Sequence, residues 1–228
     1  MRRRVVDRYH EQRRREGEVA ANTAAALAAR RLQVGVWMII GGVVLAVTLR
    51  LPPGEPAFYW ASGALGVVWL AGWLMSGRTW RGTSTDLPVG LICGVVLLGV
   101  FLLGASVVAQ VEVLRAPVDA LLAHARWGAL PLVALITAVN GVTEELFFRG
   151  TVYDAFLGKH PVVVSTVAYT VVTALSGIVL LAFAGALLGL LCAWLRRISG
   201  GVIAPIAAHV TWSLGMLFWL GPVLELWR

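Results

Sequence analysis

Nothing constrains the folding of this chain more than its long apolar runs. A hydrocarbon core needs about 20 consecutive apolar residues per helical crossing, and such stretches recur at 32–49, 57–75, 88–109, 127–141, 161–175, 177–195 and 202–220. The pattern predicts an all-α, polytopic transmembrane bundle of about seven spans. The fifth and sixth runs meet at Ser176-Gly177 as a tight hairpin or one broken span, so the count lies between six and eight. Proline and glycine mark the breaks between helices, at Pro52-Pro53-Gly54, Gly82, Pro88, Gly158, Pro161, Gly200-Gly201 and Pro222. With 59% hydrophobic and only 14% charged residues, a soluble surface is excluded. Cys93 and Cys192 both sit inside apolar runs, which removes a disulfide framework and a thiolate zinc site.

The charges are uneven. Nine of the 19 Lys and Arg residues fall in the first 31 positions, against four acids, Asp7, Glu11, Glu16 and Glu18. This head has one aromatic, Tyr9, and no binding motif. Its reading is a cytosolic helix near anionic lipid, with Glu11 and Arg15 paired four apart, and not a nucleic-acid arm. It is too long and too charged for a signal peptide, and no small-residue cleavage site follows cleanly. With seven spans and the N-terminus inside, the cytosolic segments hold 15 of the basic residues, and only Arg50, Arg115, Arg126 and Arg228 lie opposite. The positive-inside rule thus predicts N-in. Trp37, Trp60, Trp80, Trp127, Trp194, Trp219 and Trp227 are expected as interfacial anchors. Eighteen arginines to one lysine, with abundant Ala, Gly and Val, suggest a GC-rich bacterial source and a multi-pass plasma-membrane protein. The expected organisation is a basic segment at 1–31, three N-terminal helices at 32–126, a core at 127–220 and a tail at 221–228.

Ionisable residues in apolar helices are costly and mark function or a paired structural site. They are Glu144, Glu145 and Arg149 at the end of the fourth span and His209 within the seventh. His10, His124 and His160 fall in predicted loops and read as exposed imidazoles. Glu145 and Arg149 stand four apart and should pair. Glu144 is rotated by about 100° and has no local cation; Asn140, one turn before it, offers only a hydrogen bond. A carboxylate so placed in a low-dielectric cavity is a candidate general base.

Glu144-Glu145-Leu-Phe-Phe-Arg149-Gly150 resembles the EExxxR signature of the CPBP or Abi intramembrane proteases, the CAAX prenyl endopeptidase-like family. Gly200-Gly201-Val-Ile-Ala-Pro205-Ile-Ala-Ala-His209 resembles its last motif, a glycine-rich lead into a membrane-embedded histidine. The resemblance covers roughly 127–220 and implies peptide-bond hydrolysis near the cytosolic side of the membrane, on a peptide or lipidated protein. It implies that Glu144 activates water, Glu145 and Arg149 brace the site, and His209 polarises the scissile carbonyl. No cofactor is expected: a zinc site takes about three protein ligands, and one buried histidine is available beside the glutamates.

The sequence departs from the family twice. The second motif is an aromatic followed four residues later by a histidine that helps the glutamate orient water; Tyr169 fits the aromatic, and Thr173 stands at the histidine position. The last motif continues with asparagine or aspartate where Ser213 stands. Both replacements keep a hydroxyl, which can bond a water or an oxyanion or simply its own i−4 carbonyl. Two function classes follow: a divergent endopeptidase, and a protease-like protein without turnover that binds peptide as an immunity factor or scaffold. A proton-relay transporter ranks last, since no inverted repeat is visible.

Overall fold

The computed structural model describes residues 24–76 and 86–227. Eight helices are named in chain order: α1 Ala24–Thr48, α2 Pro56–Met75, α3 Leu87–Gln110, α4 Glu112–Arg126, α5 Leu130–Glu145, α6 Pro161–Ala174, α7 Val179–Ser199 and α8 Ile203–Leu226. Between α5 and α6 the helix widens to a π segment, Leu146–Val152, and closes with one α turn, Tyr153–Ala155. Proline in the first turn starts α2, α3, α5 and α6, where a missing N–H costs nothing. Gly200 ends α7 in the left-handed region at φ 72°, which favours glycine.

Among the described residues, six helices are long and apolar enough to cross a membrane: α1, α2, α3, α5 with its continuation to Ala155, α7 and α8. The expected fifth span is shorter than a crossing. α6 has 14 residues, about 21 Å at 1.5 Å per residue, against a hydrocarbon core of about 30 Å. It stops at Ala174 because the chain turns through Gly177, whose φ is +81°. The apolar pattern ran on through this turn and hid the stop. The expected head, with Glu11, Arg15 and His10, lies largely outside the described residues, as do Arg78, Trp80 and Arg81.

The helices alternate between two faces. The N-terminal face gathers the start of α1, where Arg31 Nε donates to the Ala155 carbonyl, the end of α2, where Ser76 meets Thr151, and the end of α7, where Arg196 meets Asp154. The opposite face gathers Leu51 with His124, Tyr59 with the Ala129 amide, and Arg126 with Glu225.

α4 is a further helix that the sequence reading left as a connection. It is amphipathic, burying Val118 and Leu122 against Ala105, Ala109 and Leu224 of α3 and α8. It also corrects the reading of His124, which is buried and not exposed: one ring nitrogen lies 3.0 Å from the Leu51 carbonyl oxygen, and the ring stacks 4.4 Å from Phe58. His160 is exposed, as expected. Trp37 is no anchor; it lies in the middle of α1 and packs with Gly72 and the Phe147 cluster, while Trp60 and Trp127 are exposed at helix ends.

Two apolar cores flank the site. One joins α1, α2, the π segment and α6 through Val34, Leu65, Trp69, Phe147, Phe148 and Val172. The other joins α7 and α8 through Leu188, Leu195, Ala204, Ala208 and Trp212, with Cys93 and Phe101 of α3 against it. α8 runs along α3 in close contact because a Cβ at Gly94 would lie 2.7 Å from the Ala208 carbonyl oxygen. Gly90 and Gly94 therefore pack the monomer, whereas Gly35 faces open space. Large apolar side chains such as Ile39, Ile92, Val100 and Leu103 point outward, as lipid-facing helices require.

Candidate active site

The π segment positions the cluster. α5 delivers Glu144 and Glu145 at its last turn, and Arg149 follows on the wider winding. π turns recur at functional sites because they break the regular hydrogen-bond ladder and re-aim side chains. Here neighbouring helices hold the altered ladder. The Phe148 carbonyl accepts from the Tyr153 amide and, at 2.9 Å, from Ser165 Oγ of α6. The Arg149 carbonyl accepts from Arg196 Nε of α7 at 2.9 Å, and Arg196 is itself anchored on Asp154 at 3.0 Å.

The expected pair forms: Arg149 Nη1 donates to Glu145 Oε1 at 2.8 Å, with both side chains fully buried. Arg149 Nη2 donates to the Gly189 carbonyl at 2.9 Å. Glu145 Oε1 has a second neighbour, His209 Nδ1 at 2.7 Å. Since a carboxylate only accepts, His209 carries a proton on Nδ1, and its Nε2 points to the remaining space. Among the described residues, Arg149 Nε is buried without a hydrogen-bond partner, and the Cys192 thiol lies against Glu145. Such an ion pair stabilises little by itself, and losing either member would leave a buried charge uncompensated.

Glu144 differs from its neighbour. Its side chain keeps 16% exposure, whereas that of Glu145 has none. Tyr169 Oη of α6 donates to Glu144 Oε2 at 2.8 Å, and His209 Nε2 stands 3.9 Å from the same oxygen. Tyr169 and His209 meet edge to face at 6.1 Å. Gly141 of α5 faces His209, with a Cβ there in ordinary contact with the imidazole at 3.4 Å. His209 lies six residues into α8, about 9 Å below the N-terminal face.

Of the predicted site residues, the structure gathers Glu144, Glu145, Arg149, Tyr169 and His209. It places others apart. Asn140 turns away from Glu144 and donates to the Ser62 carbonyl of α2 at 3.2 Å. Thr173 donates to the Tyr169 carbonyl of its own helix and does not reach Glu144. Ser213 is half-buried one turn beyond His209. Sequence reasoning missed the clamp of Ser165, Asp154 and Arg196. Arg196 entered it only as a cytosolic charge, one of the pair Arg196-Arg197 in the last turn of an apolar helix. Among the described residues, no three His, Cys, Asp or Glu side chains are grouped so as to hold a metal ion.

Fold and cluster together define a class: a multi-pass helical membrane protein with a buried carboxylate, histidine and arginine cluster near one face. Residues 126–215 match the family model described as Type II CAAX prenyl endopeptidase Rce1-like. The match spans both motifs and agrees with the resemblance they carry: over this part the chain is similar to the CAAX protease-like family. No curated protein and no solved structure matches the chain.

Proposed function

We propose that the protein is an intramembrane endopeptidase of a bacterial plasma membrane, oriented with its N-terminal face in the cytosol. It would hydrolyse a peptide bond of a membrane-associated or lipidated substrate. One observation carries this reading: Glu144, outside the Glu145–Arg149 pair, faces Nε2 of a histidine whose other nitrogen is fixed on Glu145.

In the proposed reaction a water lies between Glu144 and the scissile carbonyl carbon. Glu144 takes one water proton as the oxygen–carbon bond forms, and the carbonyl becomes an oxyanion. His209, with a proton on each ring nitrogen, donates from Nε2 to that oxyanion, while Glu145 and Arg149 hold its ring. The carbon–nitrogen bond then breaks as the proton on Glu144 passes to the leaving amine, and the products are a carboxylic acid and an amine. Side chains and water supply every step of this scheme, and it takes no metal. Anionic lipid is the proposed neighbour of the basic segment.

The test compares membrane-protein termini by mass spectrometry between cells expressing wild type and the Glu144→Gln isostere at matched levels. New termini present only with wild type are the expected result. Identical termini overturn the hydrolase and leave the second reading, a peptide-binding immunity factor or scaffold, which Thr173 in place of the family histidine favours.

A further inference from the structure

We propose that Tyr169 is the positioning residue that does for Glu144 what the absent histidine at position 173 would do; the proposal rests on the endopeptidase reading above. α6 carries the two candidate groups one turn apart, and the packing separates their fates. Thr173 Oγ1 is spent on the Tyr169 carbonyl. α7 closes over it: a Cβ at Gly185 would lie 2.5 Å from Thr173 Oγ1 and 3.1 Å from Thr173 Cβ. An imidazole at 173 has no space unless α7 moves, because helix interiors are close-packed.

Tyr169 reaches the carboxylate instead. Its hydroxyl is 2.8 Å from Glu144 Oε2. The ring is held on several sides, by the Arg149 guanidinium 4.8 Å over its face, by Phe148 edge-on at 5.0 Å, and by Gly189, where a Cβ would stand 3.2 Å from Tyr169 Cδ1. A ring fixed this way has one place for its hydroxyl.

The hydrogen bond has two effects. It occupies Oε2 and leaves Oε1 to orient the water. It also suits the ionised form of Glu144, since a phenol donating to a charged oxygen makes a stronger bond than to a neutral one.

The experiment measures protein-dependent termini in cells, and melting temperature in detergent, for wild type, Glu144→Gln and Tyr169→Phe. Tyr169→Phe should lower the product termini about tenfold or more at a wild-type melting temperature. Genetic encoding of 3-fluoro- and 3,5-difluorotyrosine at 169 keeps the ring and makes the phenol stepwise more acidic; product yield should follow that acidity, which a packing role would not produce. Thr173→His in the Tyr169→Phe background should give no rescue. Wild-type yield from Tyr169→Phe while Glu144→Gln abolishes cleavage overturns this inference and spares the endopeptidase. Equal yields from the three tyrosines, or rescue by Thr173→His, overturn it as well. No effect of Glu144→Gln overturns both.

Discussion

Two charge clusters stand on opposite faces of the bundle, built from the same residue types and held in different ways. On the far face, Arg115 and Asp119 pair within α4 at 3.2 Å, and Arg126 reaches Asp119 at 3.8 Å and Glu225 at 3.3 Å. Those side chains range from 12% to 44% exposed. Water can replace the partners of Arg126 and Glu225, whose side chains are 42% and 44% exposed, so the bond between α4 and α8 is dispensable there. At the candidate site Glu145 and Arg149 have no exposure at all, and their partners come from distant chain: Gly189 and His209, with Arg196 on the backbone. A buried charge cannot borrow a hydrogen bond from solvent, so the fold must supply each one. The far cluster decorates a surface; the near one is tied to the arrangement of four separate segments.

Breaking the two clusters should therefore give graded losses. Arg149→Met leaves Glu145 buried beside His209 alone and should cost about 3–5 kcal/mol, seen as a collapsed melting transition in detergent or failure to accumulate. Asp154→Asn weakens the bond to Arg196, where both side chains are only 10–12% exposed. Its expected cost is about 1–3 kcal/mol, with product termini falling alongside as the π segment loosens. Glu225→Gln, at a pair with side chains 42% and 44% exposed, should stay within about 1 kcal/mol. High salt should erase that small difference and leave the Arg149→Met deficit intact. Equal losses from Arg149→Met and Glu225→Gln would refute the distinction between the clusters.

Much of the site was legible because it is written locally. Glu145 and Arg149 stand at helical spacing within an apolar run, and that Glu144 has no partner of its own along the helix follows from the same wheel. His209 stood out as a lone imidazole among apolar residues. The contacts that unite them were not legible: nothing in the sequence says that α6 turns Tyr169 and not Thr173 toward Glu144, since the closeness of Gly185 that decides it comes from a separate helix. Asn140 was misplaced for a similar reason, its partner being a carbonyl of α2. In the fold, the long spans were plain from hydropathy. α4 escaped because its charged face dilutes a stripe of only a few buried residues, and the shortness of α6 escaped because apolar residues continue through its turn.

The scattered origin of the site also orders its manufacture. A chain emerging from the ribosome delivers Glu144, Glu145 and Arg149 about 40 residues before Gly189 and about 60 before His209. Until α7 and α8 have inserted, the Arg149 guanidinium lacks its carbonyl partner, the π segment lacks the Arg196 clamp, and no imidazole faces Glu144. Insertion of the last helix is thus what assembles the cluster, and a nascent or truncated chain carries the two glutamates and the arginine without the partners that fix them.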